Sequence, residues 1–146
     1  MPTPTESADL LIKLYDLRRD PALRSARDWF CERFHPASAE EGFALWMGPE
    51  SAPYRMVTTY WEMAASFVSH GAIDAEMFHD ANSEYVAVIA KLGPFLPELR
   101  RLSGSPHYLR QLESVVMAMP NAEQRLSVMR KYMRRKKAET EAAPTA

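Results

Sequence analysis

Two Glu-x-x-His segments, Glu32 to His35 and Glu76 to His79, are the residues of this sequence best spaced for chemistry. On a helix, positions three apart share a face. Carboxylate-bridged di-iron bundles use two such segments plus two single glutamates. Glu62 and Glu113 are the available singles. Helix phase works against a metal centre. Glu32 lies about 200° round its helix from Phe30, which turns it outward. His35 stands at a helix end, before Pro36. Glu76 falls in a first turn, where a carboxylate has a plain electrostatic role, and it shares a polar stripe with His79, Asp80 and Ser83. Neither segment points into a core, so the expectation is no metal ligand and no cofactor.

Nucleophilic chemistry has no better footing. Cys31 sits on a helix beside aromatic residues, the setting of a buried, inert thiol. Gly-x-Ser-x-Gly, Walker-type and Gly-x-Gly-x-x-Gly segments are absent from the sequence, and with only 5 glycines there is no phosphate-cradling loop. His70 precedes Gly71, where an imidazole suits the end of a helix. No catalytic residue is assigned, and the balance leans away from an enzyme.

Three other groupings remain. Glu62, Arg100 and Glu113 are charges close to apolar stripes, and an arginine bridging two carboxylates is the expected structural cluster. Trp46 and Met47, together with Met129 and Met133 of the last helix, form the candidate interaction surface. Arg130, Lys131, Arg134, Arg135, Lys136 and Lys137 form the one strong charge block, a candidate anion-binding site. Cations also stabilise a helix C-terminus, and only Tyr132 accompanies the run as an aromatic platform.

These groups must be positioned by helices. In Tyr54–His70, the residues Val57, Tyr60, Trp61, Ala64 and Val68 follow the spacing of one helix face, widened by Met56, Met63 and Phe67. Arg55, Thr58, Thr59, Glu62, Ser66 and Ser69 form the polar seam. Gly71 fits a left-handed helix end and Asp74 an N-cap. The next helix buries Met77, Phe78, Ala81, Tyr85, Val88, Ile89 and Leu92 and stops at Gly93. A link this short predicts an antiparallel hairpin over residues 54–92. Before it, the pattern predicts helices over about 6–19, from Pro21 behind an Asp20 cap, and from a Ser38–Glu41 capping box. After it come helices from Pro94, beyond Pro106, and from Asn121 with Gln124. No strand-length alternation interrupts them.

The chain has 146 residues, 47% of them hydrophobic, and a formal net charge of -1. That is one domain with enough apolar surface for a core and no overall bias toward nucleic acid. Cys31 is the only cysteine, which excludes an internal disulfide and fits a reducing compartment. No apolar run is long enough to span a bilayer, and Met1–Thr5 lacks the signature of a signal peptide. The expectation is a cytoplasmic, all-α protein: a single irregular bundle of six to eight helices around the central hairpin. Residues 1–5 and 138–146 are expected to be disordered around a domain at 6–137.

Tyr60-Trp61-Glu62, Val68, Gly71-Ala72-Ile73, Leu92-Gly93-Pro94-Phe95, Leu99-Arg100 and Tyr108 followed by Leu112-Glu113 keep a consistent order over roughly residues 20–118. In this the chain resembles an uncharacterised bacterial all-helical family, a domain of unknown function of the DUF4760 type. The resemblance implies no activity and no catalytic residue. It implies that Glu62, Gly71, Arg100 and Glu113 belong to a shared scaffold. The functional expectation is a non-enzymatic protein-interaction module, self-associating as a homodimer or binding an unknown protein partner. The alternative is nucleic-acid or anionic-surface binding through the basic C-terminal helix, with nucleic acid disfavoured by the net charge. A metal-dependent enzyme comes third.

Overall fold

Helix starts in this chain follow its prolines and its hydroxyl and carboxylate caps. In a computed structural model that describes residues 1–143, α1 (Pro4–Arg18) opens on a capping box: Thr3 Oγ1 accepts from Glu6 N (3.1 Å) and Glu6 Oε2 accepts from Thr3 N (2.8 Å). Ordered helix thus begins inside the stretch expected to be loose at residues 1–5. Asp20 caps α2 (Pro21–Glu32) as expected, accepting from Ala22 N and Leu23 N. Ser38 caps α3 (Ala39–Met47) through Glu41 N. α4 (Ser51–Ser69) starts ahead of Tyr54, since Pro53 is accommodated in its first turn.

Beyond Gly71, which has φ 77°, Asp74 caps α5 (Ala75–Ala81). The return arm of the hairpin is then interrupted at Asn82-Ser83 before α6 (Glu84–Leu92). Asn82 Nδ2 donates to Phe78 O (3.1 Å), where a side chain stands in for helical backbone. A 3-10 turn at Gly93–Phe95 leads into α7 (Leu96–Ser103). α8 (Arg110–Met117) begins later than Pro106 had indicated, because 105–109 forms turns and Leu109 adopts φ 55°. Asn121 is also left-handed (φ 59°), and its side chain makes no cap bond to α9 (Ala122–Ala142). α9 continues through 138–142, which had been expected to be disordered, with Ala143 as its C-cap, and residues 144–146 of that expected tail lie outside the described residues.

The bundle is all-α among the described residues, and none of its helices is long and apolar enough to cross a membrane. α4 packs most extensively against α2 and α8, and α6 against α9. The core is aromatic at its centre: Trp61, Tyr54, Tyr85, Phe30, Phe34 and Phe78 are fully buried. Phe30 and Phe34 stack at 4.9 Å between centroids, and Trp61 reaches both Phe78 (6.4 Å) and Tyr85 (5.9 Å) across the hairpin. The buried face of α4 is narrower than the pattern implied, since Met56 and Met63 are exposed. Thr58 of the expected polar seam is buried instead and returns its hydroxyl to Tyr54 O (3.0 Å). α1 buries only Ser7 and Leu14, and leaves Ile12, Tyr15 and Leu17 in solvent. Ser7 Oγ accepts from Asp74 N and Tyr60 Oη donates to Leu14 O, which fastens α1 to the hairpin.

Candidate functional site

The expected Glu62–Arg100–Glu113 cluster is divided. Arg100 Nη2 pairs with Glu113 Oε1 at 3.1 Å, and Arg100 Nε donates to Tyr108 O at 3.0 Å. Glu62 turns to backbone: Oε1 accepts from Gln111 N (2.9 Å) and Oε2 from Leu112 N (2.8 Å). Those amides open α8, where Leu109 supplies no cap of its own. Glu62 is therefore an N-cap delivered from another helix, with its charge at the positive end of the helix dipole. The cluster ties α4, α7 and α8 together as scaffold.

The candidate interaction residues part in the same way. Trp46 is packed between Tyr54 (5.8 Å) and Tyr108 (4.2 Å), so it is an aromatic prop and not the exposed anchor expected. Met133 is buried and Met129 packs half-buried on the core. Met47 alone of the four is exposed, at 62%. The solvent-facing apolar side chains of α9 are Val128 (61%) and Tyr132 (45%), one turn apart, and the sequence reading had not selected them as a surface.

A concavity of about 690 Å³ lies where α4, α5, α8 and α9 meet, and includes Glu76, His79, Asp80 and Arg125. A second, about 510 Å³, continues past His79 and Arg125 along α9 and is walled by Tyr85, Val86, Val128, Met129 and Tyr132. His79 is the hinge of this groove. Tyr85 Oη hydrogen-bonds with His79 Nδ1 and also lies 3.2 Å from Met119 Sδ. Burial first, and then Arg125, hold the His79 pKa below the usual histidine value, which favours the neutral ring.

The Glu-x-x-His segments do not converge. His35 Nε2 lies 3.0 Å from Glu32 O, a local backbone contact, and no group of three or more His, Cys, Asp or Glu side chains is placed to hold a metal among the described residues. Cys31 is half-buried, and burial pushes its thiol pKa up, away from nucleophilic character.

The basic run is partly tied down. Arg130 Nε donates to Ala90 O (3.1 Å), Lys136 pairs with Glu139 (3.3 Å) and lies over the Tyr132 ring, and Lys137 stands 3.8 Å from Glu141. Lys131, Arg134 and Arg135 are exposed. Sequence reasoning missed the most buried ionic group. Glu84 accepts from Arg18 Nη2 (3.1 Å) and Arg27 Nη2 (2.7 Å), a carboxylate bridging two arginines. It also missed Lys91, whose ammonium donates to Phe30 O and Phe34 O (2.9 Å) at the end of α2. Burial pushes the Lys91 pKa down to about 8.

A family model described as a domain of unknown function, DUF4760, matches residues 4–119, the stretch from the start of α1 to just past α8. No curated protein and no solved structure matches the chain.

Proposed function

Since the chain belongs to the DUF4760 family, a domain of unknown function, we propose that it is a non-enzymatic protein-interaction module that self-associates through the outer face of α9. The observation that carries this is the pair Val128 and Tyr132, exposed on α9 at the edge of the 510 Å³ apolar concavity. An exposed tyrosine next to a hydrophobic hollow is a common interface anchor, since it adds apolar area with few rotamers to freeze. A second copy is the simplest occupant, because a two-fold contact pairs one patch with itself. A lone Cys31 with a suppressed thiolate fits a reducing compartment, and the bacterial cytoplasm is the proposed setting.

Light scattering after size exclusion tests this on the full chain and on the Val128→Glu/Tyr132→Glu variant. Both positions are exposed, so the variant keeps its core. A wild-type dimer that becomes a folded monomer in the variant supports the reading. A wild-type monomer over a wide range of protein concentration, or a dimer indifferent to the two glutamates, overturns it.

A further inference from the structure

The opposite face of α9 carries something different. Arg130, Arg134 and Lys137 lie on one stripe, about 200° round the helix from Val128 and Tyr132. With Lys91, His35 and the ring of Phe95 they line a separate cleft of about 310 Å³ between α9, the end of α2 and the turn after α6. The residues lining this cleft include no carboxylate. Glu141 approaches from beyond it, its Oε1 3.8 Å from Lys137 Nζ. Neither Arg130 nor Arg134 is paired with a carboxylate among the described residues.

The protein fixes part of this constellation. Arg130 Nε is anchored on Ala90 O, which aims the guanidinium and leaves its two terminal nitrogens uncommitted there. Lys91 spends its protons on the carbonyls at the end of α2, so it contributes charge and no direct bond. Two arginines one turn apart on the same stripe repel each other, and an oxyanion between them would relieve that repulsion. The guanidinium fork matches phosphate oxygens in pairs. The volume admits a phosphate with one ring or a short chain lying on Phe95, and is too small for a folded nucleic-acid strand.

We propose that this cleft binds a phosphate monoester, held by Arg130, Arg134 and Lys137 with its organic part against Phe95. The site is independent of the self-association surface, since the two occupy opposite faces of α9. A free metabolite and a phosphatidic acid headgroup present the same chemistry.

The test is calorimetric titration of the full chain with phenyl phosphate and with inorganic phosphate. Sedimentation with phosphatidylcholine vesicles containing phosphatidic acid, and others containing phosphatidylglycerol, accompanies it. Arg134→Ala/Lys137→Ala is the variant, as both side chains are exposed and their loss spares the core. The expected result is binding of phenyl phosphate that weakens about tenfold or more in the variant, in line with the loss of charged hydrogen bonds. Val128→Glu/Tyr132→Glu should bind as the wild type does. Phosphatidic acid vesicles captured in preference to phosphatidylglycerol identify a lipid source; no capture identifies a free ligand. Absence of phenyl phosphate binding, binding unchanged in the variant, or capture of both vesicle types and of a single-stranded oligonucleotide without phenyl phosphate binding overturns the proposal.

Discussion

Arg27 and Glu84, 57 positions apart, meet in a forked ion pair, with Nε 3.0 Å from Oε1 and Nη2 2.7 Å from Oε2. The same carboxylate takes Arg18, whose guanidinium carbon lies 5.3 Å from the centre of the Trp61 ring. Arg18, Arg27 and Glu84 are only 17%, 22% and 14% exposed, so the charges are substantially desolvated. Removing the anion leaves two cations facing each other. Glu84→Gln is expected to cost roughly 3 kcal/mol in urea unfolding. Adding Arg27→Met to that variant should restore part of the loss, because one stranded charge goes with it.

Glu62 gives a second expectation. Glu62→Ala strips the only side-chain acceptor from two amides at the start of α8, at a cost of about 2 kcal/mol. Glu62→Gln keeps one oxygen and should cost about half of that. Amide hydrogen exchange at Gln111 and Leu112 is the direct readout, and both protons should exchange faster in the alanine variant while α2 is unaffected.

Lys91 closes the other end of a helix. Lys91→Met keeps the stem and removes the donor, leaving carbonyls of Phe30 and Phe34 without that partner. The expected loss is about 1–3 kcal/mol, seen as a lower urea midpoint with the slope unchanged.

Stability should fall as pH drops below neutral and again in the strongly alkaline range, while Lys91, held at about 8 by burial, works the other way between about pH 8 and its unfolded value. Burial holds His35 and His79 below the ordinary histidine pKa in the folded chain. Between the folded and unfolded values the unfolded chain binds more protons, so stability drops as pH falls below about 6.5. On the alkaline side, burial pushes Tyr54, Tyr60 and Tyr85 up to about 12. Their contribution is intact below about pH 10 and is lost as pH rises through 12, because the unfolded chain ionises first. Urea midpoints measured across this range check both limbs, and His79→Gln should flatten the acid one.

The helices were legible because apolar spacing and cap residues are local signals. Asp20, Ser38, Gly71 and Asp74 do in the structure what their types announced. The interruption at Asn82-Ser83 was not legible, since Phe78, Tyr85 and Leu92 keep helical phase across it. Glu62 was recognised as an unusual charge, yet its partner is backbone, which has no residue type to read. Arg18, Arg27 and Glu84 each look like solvated helix charges until the fold brings three elements together. Met133, expected at a surface, is buried, and Val128, which the sequence analysis did not single out, is exposed, because the last helix is apolar in patches on more than one face.

The left-handed Leu109 has a kinetic meaning. An eight-residue helix is marginal alone, and α8 takes its cap from a residue 49 and 50 positions upstream. Closing so long a loop costs entropy before any bond forms. α8 should then condense late, onto an α4 already in place, and open whenever α4 lets go. A fragment starting after Gly104 would carry the helix sequence without the carboxylate that starts it.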